Sequence, residues 1–315
     1  MERFKNILVA ASPGHLEMPV LKKAARVAAS NGAKLTVLDV VEAIPPRRRT
    51  VRVEGSTVDL QALLLDDRRL QLAAAVESAG IDALVEVVAG KPFIEVIRFA
   101  MANGCDLVIV GESPPIHGRA RIVASDVTQL IRACPTPVWV MCPSRARKLR
   151  ILALVDPDPT DPVRDSLSEL VLELATSIAR REGGELHVAH AWQLPGESTL
   201  RSSAFVSLPA REVDMAVQAA CEEHRAQLDE LAERHGVTEL GGQTHLVKGP
   251  SDQVLPELAD RLNTNLIVMG TVARRGLSGL IMGNTAESMM KAVRCSILTV
   301  KPDGFVSPVS TDPSG

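Results

Sequence analysis

Residues 265–270 read Asn265-Leu-Ile-Val-Met-Gly270, and residues 106–111 read Asp106-Leu-Val-Ile-Val-Gly111. Each run is apolar, has the length of one buried strand and ends in glycine. The two final glycines lie 159 residues apart in the sequence, and the same spacing relates Gly90 to Gly249. Self-similarity at a fixed offset indicates an internal duplication. The chain is therefore predicted to contain two copies of one structural unit.

The starts and ends of the two copies match as well. Arg150-Ile-Leu-Ala-Leu parallels Asn6-Ile-Leu-Val-Ala near the start, and Cys295 parallels Cys134 just before the last strand. The cysteines are 161 residues apart, which is two more than the glycines. The loop between the glycine and the last strand therefore differs in length between the copies.

The C-terminal copy alternates short apolar runs with longer segments of helical periodicity. We predict strands at 149–155, 186–192, 244–248, 266–270 and 297–300, and helices at 163–181, 212–235, 252–262 and 285–293. Such alternation is typical of a parallel sheet covered by helices on both faces. We therefore predict an α/β fold with two five-stranded domains, at residues 1–144 and 149–302, and a tail at 303–315.

Composition argues against several classes of function. The 315 residues carry a net charge of −3 and only 2% of them are aromatic, whereas base-stacking nucleic-acid binders need aromatic and basic side chains. No uninterrupted apolar run reaches the roughly 18 residues that cross a bilayer. The N-terminus lacks a signal-peptide pattern, and the five cysteines contain no C-x-x-C pair. We expect a cytoplasmic protein with reduced thiols that binds neither nucleic acid nor membranes.

One stretch carries more chemical information than any other, and it reads Met269-Gly-Thr-Val-Ala-Arg-Arg-Gly-Leu-Ser-Gly-Leu-Ile-Met-Gly283-Asn-Thr-Ala-Glu287. It connects a predicted buried strand to a predicted helix. Its glycines permit close backbone approach and positive φ, and Asn284 and Thr285 can cap a helix whose free N–H groups face an anion. We therefore expect a phosphate ligand here, with Arg274 and Arg275 adding charged hydrogen bonds.

Other glycine motifs do not fit this stretch. The chain has no G-x-x-x-x-G-K-[ST] loop, and no G-x-G-x-x-G follows a predicted strand. Gly276-Leu-Ser278-Gly279 departs from the G-x-S-x-G nucleophile motif at its last position and lies within a loop. Ser278 is therefore not predicted to be a nucleophile.

The spacing Gly270-x-x-Ala273-(nine residues)-Gly283-Asn284 resembles the G-x-x-G-(nine)-G-S/T loop of ATP-binding universal stress proteins. Similarity to the tandem E-type members of that family extends over both halves and into the tail. The resemblance implies flavodoxin-like (Rossmann-like) domains, ATP held at the strand ends and a role in stress survival. It also implies dimer-like packing of two such domains, within the chain or in a homodimer.

The same resemblance assigns roles to individual residues. Asp156 would meet the adenosine, Ala191 would present backbone to the adenine, and Met269 and Gly270 would line the pocket. The phosphate end would be formed by Ala273, Arg274, Gly283, Asn284 and Thr285. Ala273 replaces the second glycine of the motif and Asn284 its serine or threonine, which predicts weaker binding or a changed ligand.

The N-terminal half departs further from the motif. Ser12 stands where Asp156 does, the loop from Gly111 to Ser125 contains two prolines, and Glu112 would repel a phosphate. We expect no nucleotide in this half, which would serve as a partner domain or hold a different ligand.

Several side chains have two interpretations. Asp156, Asp158 and Asp161 offer oxygen ligands to a Mg²⁺ accompanying the nucleotide, but we favour a capped, proline-rich turn. For His190 we favour a hydrogen-bonded strand histidine over an acid or base, and for the arginines at 47–49 a solvated loop over a phosphate patch.

Three functions are compatible with the sequence. Because no positioned base or nucleophile is apparent, we expect binding or signalling, with slow incidental ATP hydrolysis at most. The alternatives are a nucleotide hydrolase and an interaction scaffold, with vestigial pockets or with a larger ligand such as a nucleotide-linked lipid precursor.

Overall fold

The two halves of the chain share one sheet in the computed structural model. The structure describes residues 4–11, 16–53, 56–111, 125–142, 146, 148–202, 209–271 and 283–311.

The N-terminal half contains two more strands than the repeat pattern predicts. Its elements are β1 (Asn6–Ala10), α1 (Met18–Asn31), β2 (Lys34–Val41), a 3₁₀ turn (Pro46–Arg48), β3 (Thr50–Val53), β4 (Ser56–Asp59), α2 (Leu60–Ser78), β5 (Leu84–Ala89), α3 (Pro92–Ala102), β6 (Leu107–Gly111), α4 (Ser125–Ala133) and β7 (Val138–Met141). The extra strands β3 and β4 form a separate hairpin. The predicted arginine loop includes the 3₁₀ turn, and its three arginines are exposed.

The C-terminal half follows the predicted order of strands and helices closely. Its elements are β8 (Arg150–Leu154), α5 (Pro162–Glu182), β9 (Glu185–Trp192), α6 (Glu197–Ser202), α7 (Ala210–Arg234), a 3₁₀ turn (Thr238–Leu240), β10 (Gln243–Lys248), α8 (Ser251–Arg261), β11 (Leu266–Gly270), α9 (Asn284–Ala292) and β12 (Ser296–Val300). The bounds of β11 agree with the prediction, and the others differ by one or two residues. The short helix α6 was not predicted.

Local sequence explains where α5 begins and ends. Asp161 accepts hydrogen bonds from the N–H groups of Val163 and Arg164, and Pro162 occupies the first turn, where its missing N–H costs nothing. Gly183 follows the helix with φ 62°, a left-handed conformation that glycine adopts without strain.

Ten strands form the main sheet, in the order β10-β9-β8-β11-β12-β7-β6-β1-β2-β5. Each half contributes five of them, and these five are parallel to one another. The predicted five-stranded sheets are therefore present, but they are joined edge to edge by an antiparallel pairing of β7 with β12. Buried hydroxyl groups reinforce this junction: Ser296 bonds the backbone N–H and C=O of Cys142, and Thr299 donates to Val138.

Two apolar cores lie on opposite faces of the sheet, and each includes residues of both halves. Alternation along β1 decides which core a residue joins, since Ile7 and Val9 face one side while Leu8 and Ala10 face the other. Met289 and Met290 are core residues. Cys105, Cys134 and Cys142 are buried. None of the described helices has the length and apolar character needed to cross a membrane.

Candidate functional site

A cavity of about 840 Å³ opens at the carboxyl ends of the C-terminal strands. Each half has its strands in the order third, second, first, fourth, fifth, so the C-terminal half adds strands on one side of β8 and then on the other, beginning with β11. Ligands of open parallel sheets bind at such switch points. The ends of β8, β9 and β11 and the beginnings of α5, α8 and α9 all border the cavity.

Most of the predicted binding residues meet at this cavity. Its wall includes Asp156, Ala191, Met269, Gly270, Gly283, Asn284 and Thr285. These residues come from four separate segments of the chain, so their convergence is a property of the topology. Ala273, Arg274, Arg275 and Ser278 lie outside the described residues, as do Ser12 and Glu112 of the N-terminal half.

Gly270 is fitted closely against helix α5. A Cβ atom at this position would lie 2.4 Å from Leu167 Cδ2, which is shorter than any normal contact. Leu167 also borders the cavity. The motif glycine therefore allows α5 to approach the end of β11, and a larger residue would push Leu167 away.

The predicted cap of α9 is wrong in detail. Gly283, with φ −60° and ψ 145°, is the N-cap residue, and Asn284 is the first residue of the helix. Neither Gly283 nor Gly270 has positive φ. Because glycine has no side chain, no side-chain hydrogen bond caps this helix. Among the described residues its first N–H groups have no side-chain acceptor at the N-cap, which is the arrangement that favours anions.

The three aspartates that follow β8 form a capped turn. Arg164 forms ion pairs with Asp156 and Asp158, each with an N–O distance of 3.5 Å, and with Asp161 at 3.8 Å. A hydrogen bond from Thr160 lowers the pKa of Asp158. Within the described residues no group of three His, Cys, Asp or Glu side chains is arranged to hold a metal ion. The three carboxylates share one cation, the Arg164 guanidinium, in this turn.

His190 is a buried wall residue whose ring is fully hydrogen-bonded. Its Nδ1 lies 3.1 Å from the Val155 carbonyl oxygen, and its Nε2 lies 3.0 Å from His224 Nδ1. Because a carbonyl only accepts, Nδ1 must carry the proton, and Nε2 then accepts from His224. Burial lowers the pKa of His190. This supports the interpretation as a satisfied strand histidine rather than a free base.

Sequence reasoning missed Ser251 and Arg164 at this cavity. Ser251 is the first residue of α8, and its Oγ lies 2.6 Å from Thr285 Oγ1. Gly249, which matches Gly90 of the other copy, directly precedes Pro250 and Ser251. This match marks the turn as common to both copies and could have drawn attention to Ser251. Arg164 had no comparable signal.

The N-terminal half lacks an equivalent arrangement at the counterpart of Gly270. A Cβ on Gly111 would lie 3.0 Å from the carboxylate oxygen Oε2 of Glu17. An acidic side chain, Glu17, thus approaches Gly111 together with the apolar Val20, whereas the three atoms nearest to the same position on Gly270 all belong to Leu167. Such a carboxylate would repel a phosphate.

Comparisons with known proteins agree on one family. The model of the universal stress protein family matches residues 3–141 and 150–301. Universal stress protein E of Escherichia coli strain K12 is 26% identical to this chain, over 99% of this chain and 98% of that protein.

Solved structures agree with this relationship. A universal stress protein of Pseudomonas aeruginosa UCBPP-PA14 is similar with a TM-score of 0.68 and 26% identity, covering 96% of this chain and 95% of that one. One from Archaeoglobus fulgidus, at 18% identity and a TM-score of 0.65, shares the fold over 94% of this chain and 98% of that one. The chain belongs to the universal stress protein family, a family of stress-response proteins.

Proposed function

We propose that the C-terminal half binds ATP or a related adenine nucleotide. The observation that supports this most strongly is the position of the uncapped start of α9, at Gly283 and Asn284, on the same cavity as Asp156 and Ala191. The helix start offers N–H donors for phosphate at one end. At the other end, the carboxylate of Asp156 and the backbone of Ala191 provide polar groups for the ribose and the base.

The same cavity favours binding over turnover. His190 is the only histidine in the described part of the wall, and both of its ring nitrogens are already engaged. A general base needs a free lone pair within reach of its substrate. We therefore propose that the protein acts in the cytoplasm as a nucleotide-dependent binding or signalling protein.

We also propose that the two repeats, 1–144 and 149–302, have different roles. Glu17 stands against Gly111 in the N-terminal repeat, so one nucleotide per chain is expected. The N-terminal repeat contributes the partner sheet that is paired through β7 and β12.

Released-ligand mass spectrometry tests this proposal. The protein is purified without added nucleotide, denatured, and its supernatant analysed; an adenine nucleotide is expected. Gly283→Asp is expected to carry none, because an aspartate at the N-cap accepts hydrogen bonds from the N–H groups that phosphate would use. The negative φ of Gly283 allows the substitution without backbone strain.

Gly283→Asn is the matched control. Asparagine has nearly the same shape and also caps the helix, but it adds no negative charge, so it is expected to retain more nucleotide than Gly283→Asp. Absence of nucleotide from the purified protein, and no binding when ATP is added, would contradict the proposal. Rapid steady turnover would contradict the preference for binding.

A further inference from the structure

Ser251 and Thr285 form a hydroxyl pair in the cavity wall. They are the first residue of α8 and the second residue of α9, and their side-chain oxygens lie 2.6 Å apart. Both residues are half-buried and both border the cavity. The pair therefore joins two helices at the place where the phosphate end of the ligand is proposed.

The hydroxyl pair has one proton that its own hydrogen bond does not use. Two hydroxyl groups have two protons, and one of these forms the bond between them. The other has no acceptor within the described part of the chain, where this contact is the sole hydrogen bond of either side chain. Because both side chains border the cavity, this proton is available to an acceptor there, which is water when no ligand is bound or an oxygen atom of a bound ligand.

We propose that the Ser251–Thr285 pair donates this remaining proton to a phosphate oxygen of the bound nucleotide. This inference rests on the proposed function. Ser251 is then a specificity residue that distinguishes phosphorylated adenosine from adenosine itself. A hydrogen bond to a charged acceptor is worth more than one to a neutral acceptor, because the charge strengthens it.

The surrounding charges are compatible with this role. Asp252, which follows Ser251, also borders the cavity, but its side chain is exposed, where water and salt screen its charge. Arg164 is held by the aspartates after β8. Neutral donors therefore dominate the described wall around α8 and α9.

Isothermal titration calorimetry with ATP and with adenosine tests the assignment. Ser251→Ala is expected to weaken ATP binding about tenfold and to change adenosine binding less than twofold. Ser251→Thr, which keeps the hydroxyl, is expected to restore ATP binding to within about threefold of the unaltered protein. A purely structural role would instead weaken both ligands in parallel.

The outcomes separate this inference from the proposed function. If the unaltered protein binds ATP and Ser251→Ala binds it equally well, the assignment of Ser251 is wrong while the nucleotide site stands. Equal losses for ATP and adenosine also contradict it. If the unaltered protein binds neither ligand, the proposed function fails and the assignment fails with it.

Discussion

Leu167 of α5 packs directly on Gly270 at the end of β11. A Cβ atom added to residue 270 would lie only 2.4 Å from Leu167 Cδ2. Gly270→Ala is therefore expected to lower the free energy of unfolding by about 1–3 kcal/mol, because overpacking displaces neighbouring atoms. Urea unfolding measures this. Since both residues border the cavity, ATP binding is expected to weaken as well.

Removing the opposing side chain provides the control. Leu167→Ala alone should destabilise the protein by opening a cavity, but Leu167→Ala combined with Gly270→Ala should cost less than the sum of the single changes. Additive effects would show that the two side chains do not compete for the same space.

His190 is expected to make the stability of the protein depend on pH. Burial lowers its folded-state pKa below the ordinary value of 6.5, so below that pH the unfolded chain takes up a proton that the folded chain refuses. The free energy of unfolding should fall as pH falls from about 6.5 towards the folded-state pKa, by at most about 1.4 kcal/mol per pH unit for this residue. Urea unfolding between pH 7.5 and 5.5 measures the slope.

The variant His190→Gln is the control, because the glutamine amide both donates and accepts hydrogen bonds but does not titrate. His187 and His245 also have pKa values lowered by burial, so the variant should retain part of the slope. A slope identical to that of the unaltered protein would contradict the assignment to His190.

The junction between the halves should be sensitive to one hydroxyl. Ser296→Ala removes the partner of the buried N–H and C=O of Cys142 and is expected to cost about 1–3 kcal/mol of unfolding free energy. Ser166→Ala removes an exposed helical hydroxyl and should change stability by less than about 0.5 kcal/mol. Equal effects of the two changes would argue against a stabilising junction.

A buried ion pair in the N-terminal half provides a further test. Asp39 is fully buried and pairs with Arg68. Arg68→Met should cost about 3–5 kcal/mol by leaving the carboxylate without a cation, and adding Asp39→Leu should recover much of that loss. Arg69→Met breaks only an exposed contact with Asp66 and should cost less than about 1 kcal/mol. Similar losses at positions 68 and 69 would contradict this account.

Repetition and apolar patterning predicted most of the fold. The run ending at Gly270 gave the bounds of β11 because a buried strand is apolar throughout and glycine ends it. The β3–β4 hairpin was missed because it lies outside the main sheet and directly follows an exposed basic stretch that is typical of a loop. Pairing of β7 with β12 depends on two distant segments, so no local pattern encodes it.

The residues that line the cavity could be predicted only where a sequence motif or a strand end indicated them. Strand ends and glycines led to Asp156 and Gly270 because parallel topology gathers such positions. Ser251 was missed because a single serine at a helix start has many ordinary explanations, and only its distance to Thr285 distinguishes it. We predicted that α9 begins at residue 285, one residue later than it does, because Asn284 and Thr285 were expected to cap it. Differences of one residue are common at helix ends.

The central claim is that the C-terminal half alone binds an adenine nucleotide at the start of α9. Isothermal titration calorimetry of the full chain with ATP tests it most directly. We predict one ATP per chain, with binding lost in Gly283→Asp while the variant stays folded. No binding to the unaltered protein, or the same affinity and stoichiometry in Gly283→Asp, would contradict the claim.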